Sequence, residues 1–226
     1  MKNCTHQYVF LIFLIPASIL WGTHIDFTEH IISTSADGAV SVYATDLDGD
    51  GDMDVLSASQ YDNKIAWYEN DGENFTEHVI STSADFASYV YSADVDGDGD
   101  MDVLSASQND GKIAWYENDG NQNFTEHAIS IQGHGAMVVS AADVDGDGDM
   151  DLLSAANNEI GIAWYENDGS QNFTEYAIST EPGVDRVYAT DFDGDGDMDV
   201  VSSTVNDDKI AWYENDGSEG FTEHVI

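Results

Sequence analysis

Asp46-Leu-Asp48-Gly-Asp50-Gly-Asp52-Met-Asp54 places an aspartate at every second position of nine residues. The pattern returns with Asp94, Asp96, Asp98, Asp100 and Asp102, then with Asp143, Asp145, Asp147, Asp149 and Asp151, and again with Asp191, Asp193, Asp195, Asp197 and Asp199. Like charges this close repel by about 1 kcal/mol per pair at ~4 Å even in water. No lysine or arginine stands inside any copy to offset that repulsion. Hard oxygen ligands at alternate positions around a glycine turn are the donor set that Ca²⁺ takes, whereas Mg²⁺ prefers to keep its waters. In the first copy Asp46, Asp48 and Asp50 supply side chains from positions one, three and five. Gly51 turns the chain, the carbonyl of Asp52 points inward, and Asp54 completes the set. The start matches an EF-hand loop, but Ser57, Ser105, Ser154 and Ser202 stand where its twelfth-position glutamate would be. Residues of strand character follow at once, so the expectation is one Ca²⁺ per copy, four in all, each in a loop between strands.

The loops must be positioned by a repeated unit. Their first aspartates fall at 46, 94, 143 and 191, steps of 48, 49 and 48 residues. Ile-Ala-Trp-Tyr-Glu-Asn-Asp-Gly recurs in the same phase, ending at Gly72, Gly120, Gly169 and Gly217, and Phe-Thr-Glu begins at Phe27, Phe75, Phe124, Phe173 and Phe221. Such a period outranks any local assignment. Each period reads as four short strands: A over 40–45, B over 54–59, C over 64–69 and D over 75–81 in the first copy. Val, Ile, Thr, Tyr and Trp dominate, Asn70-Asp71-Gly72 signals a hairpin, and no helical periodicity follows residue 22. The fold class is therefore all-β, a β-propeller of four-stranded antiparallel blades. Four complete blades and one additional N-terminal strand over 27–34 make an incomplete ring, finished by further sequence or by another chain. The blade units are about 35–81, 82–130, 131–179 and 180–226.

These residues resemble the FG-GAP/VCBS family of calcium-binding β-propeller repeats, related to the integrin α-subunit head. The acidic loops and the phased Trp-Tyr-Glu-Asn-Asp-Gly stretches carry the resemblance, across residues 23–226. It implies a propeller stabilised by Ca²⁺. It leaves function open between adhesion heads, lectins and domains attached to polysaccharide-degrading enzymes.

The net charge is −40, from 45 acids against 5 bases, which excludes nucleic acid as a partner. A hydrophobic content of 42% is enough for a core, so the acidity does not signal disorder. Lys2 and the apolar run over 8–20 read as a secretory signal over residues 1–22, with no stable membrane span once it is cleaved. Cys4, the single cysteine, falls inside it, so metal would serve where extracellular proteins often use disulfides. The expected setting is secreted or cell-surface, with an extracellular protein or glycan as partner.

Antiparallel order puts the A–B and C–D connections at one end of each blade. The D–A and B–C connections lie at the other end, where the repeats differ. Phe86, Tyr89, His134 and Arg186 are the candidates there for a ligand surface. Trp67, Trp115, Trp164 and Trp212 share one register and are expected to pack between blades. His30, His78, His127 and His224 give way to Tyr176 in the third repeat, which argues against a metal or catalytic role. Asn74, Asn123 and Asn172 open Asn-Phe-Thr, a glycosylation acceptor pattern or simply a feature of the repeat. No nucleophile elbow, His-Glu-x-x-His, phosphate loop or cysteine nucleophile occurs, so the reading is of a non-enzymatic module with no catalytic residues.

Overall fold

The repeats fold as four four-stranded antiparallel sheets, each a simple meander. The computed structural model describes residues 28–131, 135–157, 161–205, 207–218 and 220–226. The first sheet is β1 (Ala39–Thr45), β2 (Asp54–Ser59), β3 (Lys64–Asn70) and β4 (Phe75–Ser81), and the second is β5 (Ala87–Ala93), β6 (Asp102–Ser107), β7 (Lys112–Asn118) and β8 (Phe124–Ser130). The third is β9 (Ala136–Ala142), β10 (Asp151–Ala156), β11 (Ile162–Asn167) and β12 (Phe173–Ser179), and the fourth is β13 (Val184–Thr190), β14 (Asp199–Thr204), β15 (Lys209–Asn215) and β16 (Phe221–Val225). Contacts group the chain into Met1–Ile31 and Ile32–Ile226, and every one of these strands belongs to the second unit.

The sheets stack face to face in chain order, each on the next. A sheet covered on both faces cannot alternate apolar with polar. That is why the second strand reads Asp-Val-Leu-Ser-Ala-Ser, small and apolar throughout, and why β6 is buried along its whole length. Three cores result, one per junction. In the first, Leu47, Leu56, Ala58, Ile65 and Trp67 meet Ala87, Val90, Val103, Ala114 and Tyr116. Fully buried side chains such as Leu104 and Ile113 each contribute about 1.5–3 kcal/mol.

Two irregularities recur. The first strand of every sheet carries a register shift near its start, as between Ala39 and Ser41, and the C–D pairing shifts once in the first three sheets, as between Ile65 and Ala66. Such bulges re-aim a side chain. Ile80, the extra residue in β4, packs against the first core.

The scarce cations are spent alike. Lys64, Lys112 and Lys209 each pair with a glutamate on the adjacent fourth strand, Glu77, Glu126 and Glu223, at 2.7 Å. Each also reaches the segment before its own sheet: Lys64 donates to the carbonyl of Ser35, Lys112 to that of Ser83, and Lys209 to the Glu181 carboxylate.

The expected signal over 1–22, Cys4 within it, and Phe27 lie outside the described residues. The additional strand expected over 27–34 is not present over its described part, since residues 28–34 form no strand. A β-segment needs a hydrogen-bonded neighbour, and among the described residues none pairs with 28–34.

Candidate metal centre

Each acidic loop folds around its own carboxylates. Between β1 and β2, Asp48 Oδ1 accepts the Asp50 N–H at 3.1 Å, Asp50 Oδ1 accepts the Asp52 N–H at 2.9 Å, and Asp46 Oδ2 accepts the Gly51 N–H at 3.0 Å. The third loop repeats all three bonds, through Asp145, Asp147 and Asp143. Gly49 and Gly51 both have positive φ, 75° and 98°, and a Cβ at either would meet nothing within 4 Å. Backbone conformation, not space, therefore demands glycine.

The ninth-position aspartates are the loop's foundation. Asp54 is fully buried; its Oδ2 accepts the Leu47 N–H at 3.0 Å and its Oδ1 the Asn70 N–H at 2.8 Å. Asp102, Asp151 and Asp199 make the same two bonds in their sheets. One carboxylate thus ties the A–B loop to the end of the third strand.

Four groups of carboxylates converge so that one oxygen from each member lies within 4.8 Å of the others: Asp46, Asp48 and Asp50; Asp94, Asp96 and Asp102; Asp143, Asp145 and Asp147; Asp191, Asp193 and Asp199. Asp98, Asp195, Asp54 and Asp151 belong to the same loops but not to these triplets. The side chains of Asp100, Asp149 and Asp197 sit instead against Gly120, Gly169 and Gly217, as Asp52 does against Gly72. The residues fit a hard cation on two grounds. The donors are all carboxylate oxygens, and Asp46 Oδ1 and Asp143 Oδ1 are buried with no hydrogen-bond partner among the described residues. A buried anionic oxygen without a donor is costly, and a cation removes that cost.

Burial pushes the Asp102 and Asp151 carboxyls up to about 6 from an ordinary 3.8, against the pull of the backbone N–H groups they accept. Burial, reinforced by neighbouring acids, also raises Asp48, Asp96, Asp145 and Asp193. A folded-state pKa above the unfolded one adds stability at low pH that is lost as pH rises through about 6. The metal-free chain should therefore melt at progressively lower temperature as pH is raised from about 4 to 7. A bound cation favours the charged form, so the extra stability conferred by Ca²⁺ should grow over the same interval. Paired melting curves with calcium and with chelator across that range test both trends; parallel curves would refute them.

The C–D turn closes on the same end. Asp71 Oδ1 accepts the N–H groups of Glu73 and Asn74, which holds its carboxyl below the usual range. Gly120, with φ of 74°, stands where a Cβ would collide with Asp100 Oδ2. Gly120→Ala is expected to cost about 1–2 kcal/mol for the left-handed backbone plus the displacement of Asp100, whereas Gly97→Ala, in open space, carries the backbone cost alone. Denaturant midpoints of the two variants should differ in that order. Asn123 and Asn172 donate their side-chain amides to Asp119 and Asp168 at 2.9 Å, so the acceptor pattern there has a turn-building use.

Glu69, Glu117 and Glu214 accept from His78, His127 and His224 at 2.7–2.8 Å, and each histidine stacks on its tryptophan at 4.6 Å. Tyr176 stacks on Trp164 at 5.0 Å in the third sheet, so aromatic packing is what the histidine position requires. Trp67, Trp115 and Trp164 pack between blades, with Phe173 against Trp115 and Phe221 against Trp164, whereas Trp212 meets Phe192 of its own sheet. Between the first and second sheets, and again between the second and third, these residues border open cavities of about 530 and 500 Å³. One is lined by Trp67, Glu69, His78 and Phe124, the other by Trp115, Glu117, His127 and Phe173.

The opposite end holds the variable loops, as Gln60 N–H to Gly38 O and Gln108 N–H to Phe86 O show by joining B–C to D–A connections. Of the four candidates there, Phe86 takes a positive φ of 60° and faces Tyr61 at 6.3 Å. Tyr89 and Arg186, from the second and fourth sheets, come together with the guanidinium 5.9 Å from the ring centroid. His134 lies outside the described residues. Nothing in the sequence signalled the Tyr89–Arg186 pairing, since they stand in different repeats. Tyr91 meets Tyr43 at 4.8 Å, and burial, with Tyr43 beside it, pushes its phenol up to about 12.

The FG-GAP-like repeat model matches this chain three times, over residues 46–105, 94–154 and 143–202. A search of curated protein sequences returned no match. Among solved structures, one similar fold is a lectin from Agrocybe aegerita whose structure concerns specific recognition of non-reducing terminal N-acetylglucosamine. It is 17% identical with a TM-score of 0.58, over 84% of this chain and 52% of that one. A protein from Lactobacillus plantarum is 16% identical with a TM-score of 0.59, over 83% and 55%. The periplasmic gluconolactonase of Pseudomonas aeruginosa is 14% identical with a TM-score of 0.52, over 83% and 53%. This chain spans little more than half the length of these structures, and at such identities they speak to the fold alone.

Proposed function

The chain belongs to the FG-GAP-like repeat family, and from that premise we propose that it is a secreted or cell-surface, calcium-stabilised interaction module, an adhesion or scaffold propeller without catalysis of its own. The observation that carries this reading is the contrast between the two ends of the blades. One end repeats the same carboxylate cluster four times, while the other presents loops that differ from repeat to repeat. A rigid scaffold with one invariant and one variable end suits binding at the variable end. The carboxylate triplet of each loop, with Asp102 and Asp199 taking the place of the Asp50 equivalent in the second and fourth, would hold Ca²⁺ and gain counter-charge from it. The chain's own residues then do the positioning: Asp54 and its equivalents anchor each loop to the third strand, and the stacked tryptophans hold sheet to sheet. Lys2 and the apolar run over 8–20 support export. The test is binding of calcium-loaded protein to extracellular matrix proteins and cell surfaces, beside Tyr89→Ala and Arg186→Ala variants. Retained binding by both variants to every partner would remove the variable end as the ligand surface.

A second reading, a calcium-dependent carbohydrate binder or an accessory part of a polysaccharide-processing enzyme, is favoured by the two equivalent cavities beside Trp67 and Trp115. An indole edge, a carboxylate, an imidazole and a phenyl ring are groups that sugars use for stacking and hydrogen bonding. The lectin among the similar folds adds support of the same kind. A glycan array separates the readings, since selective sugar binding lost in Glu117→Ala belongs only to the second.

A further inference from the structure

The two outermost sheet faces are the two halves of a junction this chain builds three times. On the first sheet Val42 is 70% exposed, although its equivalents Val90, Val139 and Val187 are buried in the three junctions. Ala39 beside it is exposed, while Ala87, Ala136 and Val184 are buried. On the far face of the fourth sheet, Ile210 is 53% exposed and Phe192 51%, while Ile65, Ile113 and Ile162, and Leu47, Val95 and Val144, are all buried. Among the described residues no sheet covers the Val42 face of the first sheet or the Ile210 face of the fourth.

Hydrogen bonding says the same. At each internal junction an asparagine of the later sheet donates its side-chain amide to a loop carbonyl of the earlier one: Asn118 to Leu47, Asn167 to Val95 and Asn215 to Val144, at 3.4, 3.2 and 3.0 Å. Among the described residues the side-chain amide of Asn70, the first-sheet equivalent, donates only to the Met53 carbonyl of its own sheet. No asparagine side chain among the described residues donates to the carbonyl of Phe192. Phe75, equivalent to the rings that meet Trp115 and Trp164, is exposed. The rings beside Trp212, among the described residues, are Phe192 and His224, both of its own sheet.

We propose that these faces bind each other between two copies of this chain, head to tail. The Val42 face of one copy then covers the Ile210 face of the next, Phe75 meets Trp212, and Asn70 reaches the Phe192 carbonyl. The occupant is another copy because each face is already met by its complement within this chain, side chain for side chain. Two copies are the smallest assembly in which a heterologous contact, used twice, leaves neither face uncovered. This inference concerns assembly and does not depend on which ligand the variable loops bind.

The experiment is light-scattering mass measurement on the full chain in millimolar calcium, with Val42→Asp and Ile210→Asp variants. The chain is expected to run as a dimer and each variant alone as a monomer. An equimolar mixture of the two variants should form a one-to-one heterodimer, because one intact Ile210 face and one intact Val42 face remain. Recovery of that heterodimer also shows that both variants are folded. A wild-type chain that stays monomeric at high concentration overturns the proposal. So does a variant that dimerises with itself, which would mean a face pairing with its own kind, or a mixture that fails to associate while both variants keep the circular dichroism of the parent.

Discussion

Chelating divalent ions from the purified chain should lower its melting temperature by roughly 20–40 °C, and adding calcium back should restore it. The size follows from linkage. A ligand held at a hundredfold excess over its Kd stabilises the folded state by about 2.7 kcal/mol per site, roughly 11 kcal/mol over four independent sites. In a domain of this length each kcal/mol moves the midpoint by about 2–4 °C. That sum approaches the whole stability of an ordinary domain, about 5–15 kcal/mol. The expectation rests on the carboxylates, which converge within 4.8 Å of one another in each loop with no lysine or arginine among them. Magnesium at the same concentration should restore less, because it gives up its waters reluctantly. Elemental analysis should return about four calcium ions per chain. Melting that does not respond to chelator would sink the metal reading of the loops.

The second large effect separates ion holding from scaffold building inside one loop. Asp50 is an exposed member of the first triplet, while Asp54 is buried and accepts the Leu47 and Asn70 N–H groups. Asp50→Ala should cost most of one site's calcium stabilisation and leave the chelated protein almost unchanged. Asp54→Ala should destabilise the chelated protein as well, by about 2–5 kcal/mol, since it strands two N–H groups and opens a cavity. Unfolding each variant in urea, with calcium and with chelator, gives the four midpoints needed. Equal losses in chelator would show that Asp54 has no scaffold role beyond that of Asp50.

Much of this was legible because the repeat is local. The strand over 54–59 was readable to the residue, since an aspartate, a run of small and apolar residues and a turn bound it on both sides. The loop and the C–D turn could be assigned to one end from antiparallel order alone, and Asp54 bonding Asn70 bears that out. Other features gave partial signals. Gly49 repeats as faithfully as Gly51, yet only its positive φ reveals why. The change from histidine to Tyr176 argued against a metal role, but only the stack on Trp164 says what the position does instead. Over 28–34 the expected strand is not formed although its sequence resembles that of β4, because among the described residues it has no strand to pair with.

By itself the sequence determined the four acidic loops, the four-strand period and the ends on which the loops lie. Those properties depend on residues within one repeat, where spacing and strand alternation translate directly into position. Only the tertiary structure decided that Tyr89 meets Arg186 across two repeats, that Asp54 is buried and doubly bonded while Asp50 stays exposed, and that Val42 and Ile210 are left uncovered. Val42 and Val90 are the same residue in the same motif; what differs is whether another sheet stands in front, and that is a matter of which distant segments stack, which no local pattern encodes.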